Sequence, residues 1–191
     1  KTELAKQLAR YMFSDSKRMV RLDMSEFMLP GSSQRLLAVG RGVKSLVESI
    51  RQQPLSLILL DEVEKAHPEV FDLLLAMLGE GRMTDQNGRL VDFRMCLVVM
   101  TSNLGVSASR RRTGFGQKST DADATHYRKA AESFFRPEFF NRIDRIVPFR
   151  ELGRDDVEPL VQRIVGRVLG RCGLRRSGVV VRLDDALREW I

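Results

Sequence analysis

Cysteine and histidine are scarce in this chain: two of each occur in 191 residues, at Cys96, Cys172, His67 and His126, all far from one another. No metal-ligand spacing surrounds any of them, which argues against a His/Cys metal centre. Two cysteines without a framework point to a reducing, cytoplasmic setting rather than a disulfide-stapled fold. No apolar stretch approaches the roughly 18 residues of a membrane span, and no secretory signal opens the sequence. Internal repeats and low-complexity tracts are also missing. Aromatic residues do not interleave with the basic runs, so the stacking platform of a single-strand nucleic-acid binder is lacking. The net charge of +7 is uneven: residues 1–100 carry 14 basic and 13 acidic side chains, and residues 101–191 carry 18 and 12. Arg110-Arg111-Arg112 and the region from Arg171 to Arg176 supply much of the excess. A basic surface attracts nucleic acid or an acidic partner. A solvated face is the simpler reading, and a nucleic-acid partner is disfavoured.

What is present is the composition of a soluble globular protein, 43% hydrophobic and 30% charged. The length allows one sizeable core, or a core with a small appendage. The most informative stretch is Leu55-Ser56-Leu57-Ile58-Leu59-Leu60-Asp61-Glu62, an apolar run of strand length that ends in two carboxylates. A continuous run predicts a strand buried on both faces, as in the middle of a parallel sheet. Open parallel sheets bind ligands beyond the carboxyl ends of their strands, where Asp61 and Glu62 emerge. Taken alone, the pair reads equally as a nucleotide site or as two solvated acids.

An alternating α/β pattern surrounds that strand. Residues 2–13 predict a helix with Leu4, Leu8, Tyr11 and Met12 on one face. Arg18 to Asp23 reads as a short strand, Ser25 to Arg41 is poorly periodic, and Val43 to Arg51 predicts a helix. The next helix runs from Pro68 to about Gly79, with proline in its first turn and glycine near its end as boundary signals. Val70, Phe71, Leu74, Leu75 and Leu78 form its core face. Between Arg82 and Phe93, RMTDQNGRLVDF predicts a β-hairpin in which Asn87-Gly88 adopts the positive φ angles of a tight primed turn. Another buried strand is expected over Met95 to Thr101, an exposed loop over 104–122, a helix near 124–135, and a short final strand from Arg145 to Phe149. The segment around Arg150 to Arg154 is the best domain boundary. Beyond it, Val157, Leu160, Val161, Ile164, Val165, Val168 and Leu169 fit an amphipathic helix. Val179 to Leu183 predicts a strand, and Asp184 a cap for a last helix.

Five segments carry a family resemblance: DMSEF at 23–27, LILLDEVEKAHPEVF at 57–71, GRMTDQNGRLVDF at 81–93, VVMTSNLG at 98–105 and FFRPEFFNRIDRIVPF at 134–149. In this order and at this spacing, across most of residues 19–149, the chain resembles the second ATPase module of the Clp-type AAA+ unfoldases and disaggregases. The remaining tail, 154–191, resembles the beginning of the small helical lid. The resemblance implies an α/β fold: an AAA+ P-loop NTPase core with a parallel sheet over residues 1–150, then the start of an α-rich lid over 151–191. It implies ATP and Mg²⁺ as cofactors, a protein substrate, and a homo-oligomeric, hexameric ring.

Site residues follow from the same resemblance. Lys1-Thr2 looks like the end of a Walker A loop, where the Lys reaches the β- and γ-phosphates and the hydroxyl binds Mg²⁺. The loop's glycines and the strand before them are expected to precede Lys1 in the protein, and a further lid arginine is expected beyond Ile191. Asp61 is the implied Mg²⁺ residue, usually acting through water, and Glu62 polarises the attacking water. Asn103, in TSN, matches the residue that orients that water; as an amide it both donates and accepts. Without the match, Asn103 reads as a turn former before Gly105. Arg142 matches the arginine finger that enters a neighbouring subunit's site; the alternative is a surface ion pair with Asp144 or Glu138. Arg136 is a second candidate, although FRPEF suits a helix-end role better. Glu64, Lys65 and His67 follow the catalytic pair and are expected to have structural or intersubunit roles.

One departure from the family stands out. Arg35 to Pro54 reads RLLAVGRGVKSLVESIRQQP, with no aromatic residue where the family places a G-Y-V-G-like loop that grips polypeptide. Gly40-Arg41-Gly42-Val43 reads either as a residual gripping loop with Arg in place of Tyr, or as a shortened turn. Three functions remain open: a protein-remodelling ATPase, an ATPase acting on a fixed protein or nucleic-acid partner without threading, and a non-catalytic nucleotide-binding assembly module.

Overall fold

Every residue of strand β2 (Leu57–Asp61) is buried, because both faces of the strand are covered. The computed structural model describes residues 1–15, 17–39, 45–106, 120–149 and 152–170. Among these residues β2 lies between β1 (Met19–Asp23) and β5 (Leu97–Met100) in a parallel sheet of order β1-β2-β5. Alternate side chains of β2 leave on opposite faces. Leu57 and Leu59 pack on Ala5 and Ala9 of helix α1 (Thr2–Phe13), with Leu8 and Phe13 beside them. Ile58 and Leu60 enter a larger cluster with Leu46, Val47 and Ile50 of α3 (Leu46–Gln52) and Val70 and Leu74 of α4 (Pro68–Glu80). Burying each such side chain is worth about 1.5–3 kcal/mol relative to leaving it exposed, so this strand anchors the fold.

Short elements complete the first of two compact units, Lys1–Pro148 and Phe149–Ile191. They are α2 (Gln34–Leu37), the hairpin strands β3 (Arg82–Thr84) and β4 (Leu90–Asp92), α5 (Thr120–Phe134) and α6 (Pro137–Phe140). Phe71 of α4 meets Phe134, Phe135 and Phe139 edge to face at centroid distances of 5.2–6.4 Å, which seats α5 and α6 on α4. In the second unit, α7 (Arg154–Leu169) forms where the apolar spacing predicts it, and Asp156 accepts from the Gly153 backbone N–H at 3.0 Å at its start.

Several expectations are corrected. Of the four residues expected on one face of α1, Leu8 packs against the sheet cluster but Leu4, Tyr11 and Met12 are exposed, and the small Ala5 and Ala9 are the buried residues that face the sheet. The hairpin loop spans Asp85 to Arg89 rather than being a two-residue primed turn. Only Gly88 has positive φ, at 74°, and the Asp85 carboxylate accepts from the backbone N–H groups of Asn87 and Arg89. Helix α4, by contrast, ends at Glu80, close to the expected Gly79, with Gly81 as its left-handed C-cap, φ 66°. The β5 segment is half-buried because β5 is the edge of the described sheet. Arg145 to Phe149 forms no strand, since no ladder partner lies beside it among the described residues. Helix α5 begins four residues earlier than expected. Arg110–Arg112, Gly40-Arg41-Gly42-Val43, Cys172, Val179 to Leu183 and Asp184 lie outside the described residues. No described helix is long and apolar enough to cross a membrane.

Candidate active site

Parallel pairing puts the carboxyl ends of β1, β2 and β5 side by side, with Asp23 directly opposite Asp61. Thr101 stitches the last two ends together. Its N–H donates to Leu60 O at 2.9 Å, its carbonyl accepts from Val63 N at 3.0 Å, and its hydroxyl accepts from Glu62 N at 3.1 Å. The first turn of α1 starts over the same edge. This layout is the crevice in which open α/β sheets bind ligands.

Four of the six expected residues converge there. Lys1 Nζ donates to Asn103 Oδ1 at 2.6 Å and to the Ser102 carbonyl. The Thr2 hydroxyl lies 3.2 and 3.3 Å from the two Asp61 oxygens. Asp61 itself is only 6% exposed. Burial raises its carboxyl, but hydrogen bonds from Thr101, Arg21 and Thr2 and the Arg21 charge outweigh that and hold it below the usual value. It is therefore ionised at neutral pH.

Glu62 stands next to this cluster with its carboxylate turned to Lys65 in an exposed ion pair. Its backbone is left-handed, φ 56°, one of two described non-glycine residues with positive φ. That conformation costs about 1–2 kcal/mol for a residue with a side chain, and such strain concentrates at functional sites. Glu64 accepts from the Asn103 N–H at 2.9 Å through Oε1, while its Oε2 is buried with no hydrogen-bond partner among the described residues. Glu64 thus fixes the backbone of Asn103, and Lys65 holds Glu62, more direct contacts than the sequence suggests. His67 caps α4, accepting from Glu69 N at 3.4 Å.

Arg142 is not brought to this cluster. Its guanidinium lies over the α4 backbone, within 3.6 Å of where a Cβ on Gly79 would stand, and it is exposed. Among the described residues it pairs with no carboxylate, so the ion pair with Asp144 or Glu138 is not formed. Arg136 is engaged instead, with Asp72 of α4 at 2.9 Å.

The donor set fits Mg²⁺. Mg²⁺ takes oxygen ligands and is held by one or two carboxylates together with substrate phosphates and waters. Thr2 and Asp61 provide a hydroxyl and a carboxylate of that kind, with Lys1 at a helix N-terminus for phosphate. No group of three His, Cys, Asp or Glu residues able to hold a metal occurs among the described residues. Burial pushes the Cys96 thiol up to about 11, so it is neither a nucleophile nor a ready metal ligand. Sequence reasoning missed Arg21 and Thr101, both bonded to Asp61. Thr101 lies inside the TSN motif and was legible as a neighbour of Asn103. Arg21 carries no local signal.

The family model for the AAA domain (Cdc48 subfamily) matches residues 1–146. The chain is 42% identical over 197 residues to chaperone protein ClpB of Propionibacterium freudenreichii subsp. shermanii, covering 100% of this chain and 22% of that protein. It is 40% identical over 203 residues to the ATP-dependent Clp protease ATP-binding subunit ClpC of Staphylococcus epidermidis, covering 100% and 25%. It spans about a quarter of the length of the curated relatives it matches. A closed-state cryo-EM reconstruction of Hsp104 with ATPγS and FITC-casein matches with a TM-score of 0.77 and 36% identity, covering 90% of this chain and 30% of that one. The S. cerevisiae Hsp104–ADP complex matches with a TM-score of 0.74 and the same identity, covering 89% and 30%.

Proposed function

The chain belongs to the AAA domain (Cdc48 subfamily) family as a Clp-type AAA+ ATPase module with an α/β P-loop NTPase core, and on that footing we propose that it hydrolyses ATP with Mg²⁺ at the interfaces of a homo-oligomeric, hexameric ring in the cytoplasm, using turnover to remodel or unfold protein substrates. The observation that carries this reading is the convergence of Lys1, Thr2, Asp61 and Asn103 at the ends of β2 and β5. Lys1 would bind phosphate oxygens, and the Thr2 hydroxyl would hold the metal with Asp61 acting through water. Mg²⁺ supplies charge neutralisation and Lewis acidity at the phosphates. Glu62 leaves its exposed contact with Lys65 and polarises the attacking water, while Asn103, its backbone fixed by Glu64, orients that water. Arg142 serves the site of the neighbouring subunit. Residues 1–150 form the nucleotide-binding subdomain and 151–191 the beginning of the lid, a division supported by the separation of compact units at Pro148 and Phe149.

Asp61→Asn tests the metal half of the site. The substitution keeps the shape and removes the charge, and losing a residue that orients a metal ligand costs about 10–100-fold in metal affinity. In the full-length protein, titration of a fluorescent nucleotide at varied Mg²⁺ should show a weakening of this size, with metal-free binding little changed. Equal Mg²⁺ dependence in variant and wild type would contradict the assignment.

A second reading, an ATPase that acts on a docked partner without threading it, is favoured by one observation: no aromatic residue occurs between Arg35 and Pro54. Aromatic side chains grip varied chains through apolar area at low entropic cost, whereas Arg41 needs charge or hydrogen-bond partners. On this reading Arg41→Ala lowers partner-stimulated ATPase and spares the basal rate, and an untagged neutral substrate is unfolded poorly by the wild type. Efficient unfolding of that substrate by both proteins returns the function to ordinary threading.

A further inference from the structure

Arg21 sits in the middle of β1 between Val20 and Leu22, which pack on the core. Both Nε and Nη2 of Arg21 donate to one oxygen of Asp61, Oδ2, at 3.1 and 2.7 Å. Among the described residues it is the only cation bonded to that carboxylate. On the other oxygen, Oδ1, the Thr101 hydroxyl donates, and the Thr2 hydroxyl lies within reach of both. A carboxylate offers about four lone-pair positions. Two guanidinium hydrogens, the Thr101 proton and the Thr2 proton account for all of them. When the Thr2 proton points at Asp61, the lone pairs of the Thr2 oxygen are left to face the crevice. The arrangement also sets a permanent positive charge, half exposed, against the residue that would hold a divalent cation.

We propose that Arg21 is a positioning residue for this site: its guanidinium holds Asp61 Oδ2 so that the carboxylate stays turned to the Thr2 hydroxyl, and its charge weakens binding of any divalent cation that arrives without nucleotide phosphates. The proposal rests on the Mg-ATP reading of this site. Its physical basis is twofold. The guanidinium fills the oxygen that a metal would otherwise take, and its charge repels a bare cation that brings no phosphate with it.

A purely structural ion pair and a resident counter-cation make opposite predictions. Removing the first weakens the site; removing the second frees an anion and strengthens bare-metal binding. The test uses the full-length protein without nucleotide, with Mn²⁺ as the probe and depletion of its free EPR signal as the readout. Arg21→Gln is expected to bind Mn²⁺ about tenfold more tightly than the wild type, since it opens Oδ2 and removes a nearby like charge. Arg21→Lys, which keeps the charge, is expected to stay near the wild type. In the ADP complex with Mg²⁺, the wild-type Arg21 guanidinium should still donate to Asp61 Oδ2. Unchanged or weaker Mn²⁺ binding by folded Arg21→Gln overturns the proposal, and so does loss of the Arg21–Asp61 contact in the wild-type complex; the latter measurement stands even if Arg21→Gln does not fold. If the wild type binds nucleotide with no dependence on metal, the Mg-ATP reading itself fails and this proposal falls with it.

Discussion

Glu62→Gln in the full-length protein should bind Mg-ATP as the wild type does and lose most of its turnover, by about 10²-fold or more. Gln has the shape of Glu but lacks the negative charge that polarises water. The backbone argument points the same way. Glu62 holds a left-handed φ of 56° just past the end of a fully buried strand, and such strained backbone concentrates at functional sites. Asp61 and Glu62 are adjacent in sequence but differ in environment. Asp61 is buried and held by three side chains, whereas Glu62 is half-exposed and held by one exposed Lys65. A group that must approach a mobile water needs the second environment, and a group that must hold a fixed geometry needs the first. The check is steady-state ATPase measured beside fluorescent-nucleotide binding. A normal rate in the variant removes Glu62 from the chemistry.

Arg142→Ala is expected to have an effect at least as large, about 10³-fold or more on turnover, with nucleotide affinity retained. Two features of the structure support action in trans. Arg142 pairs with no carboxylate among the described residues, so its charge is uncommitted there. It also lies against Gly79, eleven residues and about 17 Å of helical rise along α4 from Pro68, which follows the carboxylates in sequence. Arg136, at the start of the same Arg136-Pro137-Glu138-Phe139 turn that leads to Arg142, is tied to Asp72 and does not share this freedom. Arg136→Ala should therefore leave most of the turnover that Arg142→Ala removes.

Much of this was legible in the sequence because the strongest signals are local. Leu57 to Leu60 could be read as a doubly covered strand because every position is apolar, and the same run fixed where Asp61 and Glu62 emerge. Proline at the start of α4 and the Asn87-Gly88 pair announced a helix and a hairpin for equally local reasons. What could not be read depends on partners distant in sequence. The buried face of α1 is made by Ala5 and Ala9, which a scale weighted to bulky residues passes over in favour of Leu4 and Tyr11. Strand formation at Arg145 to Phe149 requires a neighbouring ladder, which alternation within the segment does not supply. The same holds in the site. Lys1, Thr2, Asp61 and Asn103 each sit in a motif, but Arg21 reaches Asp61 from 40 residues away in sequence through parallel strand pairing. Only the register of β1 on β2 places them together.

The measurement that tests the account most directly is ATP turnover by mixed assemblies of Glu62→Gln and Arg142→Ala subunits of the full-length protein. Each variant alone should be nearly inactive. In a mixed ring, some interfaces combine an intact Glu62 from one subunit with an intact Arg142 from its neighbour, and these should hydrolyse ATP. The account predicts that turnover rises on mixing, peaks near equal proportions and vanishes when assembly is prevented. Mixed rings that form yet remain as inactive as either parent, or full activity from a strictly monomeric preparation, would contradict a site shared between neighbouring subunits.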